Sequence, residues 1–176
     1  MSGPQAVVIG VGNEYRRDDG IGPAVVDQLE KLCLPEVSVA QCDGEPTALL
    51  DLWSGVDLAI VVDAVLCEPS APGRVWRTTV DTLRGRTRTA SSHALGIPDA
   101  WPLGRALGRL PRDLVVIAVE AEQLDLGVGL SGPVAAAVPD IVSAVLGELA
   151  RVGITSGSGR SPTRGDSFPR EHHQQS

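Results

Sequence analysis

The groups in this sequence able to do chemistry fall in a few places. Carboxylates stand at Asp18-Asp19, Asp43 and Asp63, and an imidazole stands at His93. Each carboxylate follows a stretch that reads as a β-strand, and His93 precedes a stretch that reads as a helix. In an open α/β sheet, ligands gather outside the carboxyl ends of the strands, so one rim collects these groups. Two carboxylates and an imidazole on one rim make an oxygen and nitrogen donor set suited to a borderline divalent metal such as nickel or zinc. Each residue also has a plainer reading. Asp18 reads as a cap at the start of the next helix, which leaves Asp19 to point elsewhere. Asp63, after Val61-Val62, reads equally well as an Asx turn. His93 follows Ser91-Ser92 and taken alone is an ordinary loop histidine.

Other chemistries find less support. Gly10-Val11-Gly12 after a strand invites a dinucleotide fingerprint, but Tyr15 stands where the third glycine belongs and the next glycine is Gly20. An acidic pair at that helix start would also repel a pyrophosphate. A phosphate-binding loop of the nucleotide-hydrolase type is absent. Ser91 and Ser92 adjoin His93 without a Gly-x-Ser-x-Gly elbow. Cys67 reads as a core thiol. His172 and His173 fall in a C-terminal tail and are set aside.

The elements that must position these residues are legible as alternating periods. Ala6–Val11, Val37–Cys42, Leu58–Val62, Arg74–Val80 and Leu114–Val119 read as strands. A helix from Gly20 carries Ile21, Val25, Leu29 and Leu32 inward. A second opens at Pro46, faces Leu49, Leu50 and Trp53 inward and stops at Gly55. A third follows His93, its start obscured by Pro98 and Pro102, with Leu103, Leu107 and Leu110 marking its later turns. A fourth starts at Ser131-Gly132-Pro133, turns Val134, Val138, Ile141, Val145 and Leu149 inward, and is expected to kink at Pro139. This alternation predicts an α/β three-layer sandwich, a twisted, mostly parallel sheet of about five strands with helices on both faces. Residues 1–153 form one domain. Residues 154–176 are rich in Ser, Gly, Arg and Pro and are expected to be a disordered tail.

Composition narrows the function. The chain has 176 residues, 43% hydrophobic and 3% aromatic, with a net charge of −7, so a nucleic-acid partner is not expected. The tail sets Arg160, Arg164 and Arg170 against Asp166 and Glu171, which leaves the body at −8. Part of that acidity is the rim of aspartates. No run approaches 18 apolar residues and the N-terminus lacks a signal-peptide pattern, so no membrane association is expected. Cys33, Cys42 and Cys67 are an odd number without a Cys-x-x-Cys pair, consistent with reduced thiols in the cytoplasm. A monomer is the default.

Three elements, in this order, are similar to one known family. Gly10-x-Gly12-Asn13-x-x-x-x-Asp18-Asp19-Gly20-x-Gly22 comes first, then a strand ending Val62-Asp63-Ala64, then Ser92-His93-x-Leu95-Gly96. Together they resemble the hydrogenase maturation endopeptidases over about residues 5–153. The resemblance implies an α/β sandwich that removes a short C-terminal peptide from the nickel-loaded large-subunit precursor of a nickel-iron hydrogenase. It implies Asp19, Asp63 and His93 as metal-contacting and catalytic residues. The nickel is expected to belong to the precursor, and zinc or cadmium to be able to substitute. Asp43 matches the acidic residue of the family's Asp-Gly-Gly-Thr loop. Here that loop reads Asp43-Gly44-Glu45-Pro46, and Tyr15-Arg16-Arg17 replaces a more apolar stretch.

Two mechanisms fit: a metal that polarises the scissile carbonyl or activates a water, or a carboxylate such as Asp43 acting as general base. The alternatives are a non-catalytic, nickel-sensing chaperone for the same precursor, or an enzyme acting on a small metabolite.

Overall fold

The computed structural model describes residues 4–79 and 96–155. Five strands, β1 (Ala6–Val11), β2 (Val37–Cys42), β3 (Leu58–Val65), β4 (Val75–Thr79) and β5 (Asp113–Glu120), form one sheet in the order β2-β1-β3-β5-β4. The first four strands in that order run parallel, and β4 pairs antiparallel with β5 at the edge. The predicted α/β sandwich is therefore the observed fold, with the half-exposed strands β2 and β4 at its two edges.

Both faces of the sheet are covered, which is why β1 and β3 read as unbroken apolar runs. Side chains of a strand alternate between faces. Ala6, Val8, Leu58, Ile60 and Val62 pack with α1 (Ile21–Glu30) and α4 (Gly132–Arg151). Val7, Ile9, Val11, Ala59 and Val61 pack on the other face with α2 (Pro46–Trp53) and α3 (Ile97–Leu107). On β3 that second set continues to Asp63, so the alternation places this carboxylate on the α2/α3 face at the strand's carboxyl end.

Three details differ from the sequence expectations. β3 runs on to Val65, and Asp63 pairs in register with Ala118 of β5 instead of sitting in a turn. Leu32 lies beyond α1 and is exposed. On α3, Leu103 and Leu107 face solvent, and the inward positions are Ile97, Ala100 and Gly104. A Cβ on Gly104 would lie 2.7 Å from the side chain of Leu50, so the two helices meet at a position with no side chain at all. A hydrophobic period cannot register such a contact.

α4 is continuous through Pro139. It is long and apolar enough to cross a membrane by composition, although no unbroken apolar run marks it. In this fold Val134, Ala137, Ile141, Val145 and Leu149 cover the sheet. Glu148 on the same helix pairs with Arg77 of β4 and with Arg151. Residues 80–95, which include Ser91, Ser92, His93 and the Arg-rich stretch, lie outside the described residues, as does the tail from 156.

Candidate functional site

β1 is followed by α1 on one face of the sheet, while α2 reaches β3 from the other. The connections therefore diverge between β1 and β3, and a crevice opens at their carboxyl ends. Asp19 arrives there after β1 and Asp63 at the end of β3.

The β1–α1 connection is held close by missing side chains. A Cβ on Gly10 would come within 2.3 Å of the Gly22 carbonyl oxygen, and one on Gly22 within 2.3 Å of Val11 O. Strand and helix thus touch backbone to backbone. Gly12 has φ +133°, and a Cβ there would meet the Asp19 carbonyl at 1.9 Å. The glycines that suggested a nucleotide loop serve instead to fold residues 12–20 back onto the strand end. Asn13 N donates to Asp19 Oδ2 at 2.9 Å, and Tyr15 N donates to Asn13 Oδ1 at 2.9 Å. These bonds fix the Asp19 carboxylate over the crevice.

Asp63 is almost wholly buried, at 4% exposure. Burial pushes its carboxyl up to about 8, the negative charge of Asp19 adds to the rise, and the Ala64 N–H opposes it. Among the described residues the salt bridges lie elsewhere and none supplies Asp63 with a cation. A carboxyl of this kind holds its proton until a positive charge comes near. The two carboxylates are brought together as expected. A third ligand is not: no group of three His, Cys, Asp or Glu side chains among the described residues is arranged to hold a metal. His93, expected as that third group, lies outside the described residues.

Asp18 departs from its expected role. It makes no cap contact with α1. Its carboxylate is fully buried and accepts from Glu122 N at 2.8 Å, Gln123 N at 3.1 Å, Ser131 N at 2.6 Å and Ser131 Oγ at 2.9 Å. Burial raises its pKa, but the four hydrogen bonds outweigh that and hold it below the usual carboxylate range. Asp18 therefore ties the β1–α1 loop to the loop after β5 and to the start of α4. One acid braces the loop and its neighbour faces the crevice.

Asp43 is exposed at the end of β2 and accepts from Glu45 N at 3.1 Å. The unusual Glu45-Pro46 pair has a local purpose. Glu45 caps α2, accepting from Ala48 N at 3.1 Å and from Thr47 Oγ1, and Pro46 occupies the first turn, where no amide hydrogen is needed. Gly44 holds φ +85°, and a Cβ on Gly96 would fall 1.7 Å from the Gly44 carbonyl oxygen. The Asp43 loop and Gly96, the last residue of the Ser92–Gly96 motif, are therefore packed against each other.

Cys42 was not singled out in the sequence, although its place at the end of β2 is the same signal that marked Asp43. Burial raises its pKa, and the charges of Asp43, Asp63 and Glu45 raise it further against the Gly44 N–H. It remains a neutral thiol. The Cys67 thiol is also pushed up, by burial and by the Glu120 carboxylate to which it hydrogen-bonds.

Comparison with known proteins gives a consistent picture. The sequence model of the hydrogenase maturation proteases matches residues 23–148. The hydrogenase 2 maturation protease of Escherichia coli K12 is 29% identical over 151 residues, covering 84% of this chain and 92% of that protein. The hydrogenase expression/formation protein HoxM of Azotobacter vinelandii is 32% identical over 163 residues, covering 89% and 77%. Among solved structures, the hydrogenase maturating endopeptidase HybD of E. coli aligns with a TM-score of 0.73 at 29% identity, covering 86% of this chain and 95% of its own. The [NiFe] hydrogenase maturation protease HybD of Thermococcus kodakarensis aligns at 0.70 with 25% identity, covering 83% and 99%.

Proposed function

The chain belongs to the hydrogenase maturation protease family, and from that premise we propose that it removes a C-terminal peptide from the nickel-loaded large-subunit precursor of a nickel-iron hydrogenase. The observation that carries the reading is the buried Asp63 beside Asp19, with no cationic partner among the described residues. Two facing carboxylates repel unless one keeps its proton or a cation arrives. The precursor's nickel is such a cation, and here it is part of the substrate. Asp19 and Asp63 offer hard oxygen donors, and His93 adds the imidazole that nickel favours. A precursor without metal brings no charge to offset the pair, so the site discriminates by electrostatics.

Peptide hydrolysis then needs a water held against the scissile carbonyl and a route for its proton to the leaving amine as the C–N bond breaks. Asp43 is exposed and sits on the loop packed against Gly96, which suits it to accept that proton as general base. Asp18, fully occupied by its four donors, has no part in proton transfer. The cytoplasm is the setting of this proposal, supported by three cysteines too few and too scattered for a disulfide framework.

The test is the intact mass of the nickel-loaded precursor after incubation. Wild-type protein shortens its C-terminus, and Asp63→Ala or His93→Ala leaves the mass unchanged. A precursor that binds wild-type protein tightly yet keeps its full mass overturns the reading.

A further inference from the structure

We propose that the paired loops carrying Tyr15, Leu126 and Val128 form a ledge that seats an extended apolar segment of the substrate polypeptide beside Asp19. The inference rests on the function proposed above and names where the substrate is gripped. Leu126, Val128 and Tyr15, at 81%, 77% and 61% exposure, exceed every other exposed large apolar side chain among the described residues. All three lie on this one pair of loops. Single exposed apolar side chains are ordinary, whereas a cluster on a braced loop marks an interaction surface.

The bracing is extensive. Gly127 N donates to Tyr15 O and Arg17 N donates to Gly127 O, both at 2.9 Å, in a parallel bridge centred on Arg16 and Gly127. Residues flanking such a bridge alternate to a common face, which groups Tyr15 with Leu126 and Val128. Arg16 Nε donates to Leu124 O at 3.2 Å, Asp18 N to Gln123 O at 3.0 Å, and the Asp18 carboxylate takes its four further bonds below. The fold thus commits a buried charge to holding three apolar side chains in water.

The ledge is continuous with the site through Tyr15 N to Asn13 Oδ1 and Asn13 N to Asp19 Oδ2. This continuity puts the ledge within reach of a chain whose scissile bond lies at the carboxylates. Two features fix the chemistry of what it grips. Both backbone groups of Gly127 are spent on the loop pairing, which leaves the side chains of Leu126 and Val128 as the exposed apolar surface. Arg17 pairs with Asp125 at 3.4 Å and Arg16 Nε is taken by the Leu124 carbonyl, so the exposed apolar side chains are assigned the grip.

The double variant Leu126→Ser with Val128→Ser tests this, since both side chains are exposed and their loss leaves the core intact. Affinity for the nickel-loaded precursor and the kinetics of its cleavage are measured against wild type, with Leu107→Ser, exposed at the end of α3, as control. Kd and KM rise at least tenfold, kcat stays within threefold, and the control stays within twofold of wild type. Unchanged Kd and KM overturn the ledge. So does a double variant that loses self-association at unchanged Kd, because the occupant is then a second copy of this chain. A wild type that binds the precursor without cutting it refutes the proposed function, while the Kd comparison still decides the ledge. A wild type that does not bind it refutes both.

Discussion

At the residue scale, two adjacent aspartates have opposite fates. Asp18 and Asp19 look alike in the sequence, and helix-start logic assigns the first as a cap. That logic sees only local partners, and the donors that Asp18 meets are more than a hundred residues away. Asp18→Asn keeps the shape but turns an amide donor toward existing donors. It is expected to cost about 3 kcal/mol, read as a lower melting temperature at pH 7. The sign follows from a folded pKa below the unfolded one. The contribution is fully present above the usual carboxylate range and is lost as pH falls through the folded value, so the gap between variant and wild type closes in acid. Asp63 behaves in the opposite sense. Between its ordinary 3.8 and about 8 the folded protein holds a proton that the unfolded chain has released, so stability falls as pH rises through that window. Asp63→Asn removes the penalty. The metal-free variant is expected to be more stable than wild type by at least about 2 kcal/mol at pH 8.5, with the difference vanishing below pH 4 in denaturant titrations. A wild type equal to the variant at pH 8.5 would place no strain on Asp63.

At the element scale, what was legible is what periodicity encodes. β1, β2 and α2 match their sequence bounds because apolar runs, Pro46 and Gly55 mark them locally. The end of β3 was not legible, because a carboxylate inside a buried strand looks like the start of a turn. The inward face of α3 was missed for the converse reason, being built from small residues where helices meet closely. Glu148 on the buried side of α4 was also illegible, since its partner Arg77 belongs to a distant strand. Gly96 offers a direct test of the close packing between the α3 start and the Asp43 loop. Its φ of −57° is open to any residue, so Gly96→Ala adds only a methyl, placed on the Gly44 carbonyl oxygen. A loss of about 2–3 kcal/mol in urea unfolding is expected, together with slower precursor cleavage as Asp43 shifts. Unchanged stability would mean that the two segments move apart at no cost.

At the scale of the whole molecule, the divergence of connections between β1 and β3 makes one crevice, and the acidic rim found in the sequence lines it. The proposed function gives a reason for a rim that strains the fold. In that proposal the carboxylates wait for a charge that only the nickel-loaded substrate carries. Residue types and strand ends sufficed to assign Asp19 and Asp63 to one rim, whereas the loop pairing beside them was not legible because it joins residues 15–17 to residue 127. The central claim is that cleavage waits on the substrate's nickel, and the most direct measurement is the mass of the precursor presented with and without it. Wild-type protein is expected to shorten the nickel-loaded precursor and to leave the nickel-free one intact. Equal shortening of both would contradict it.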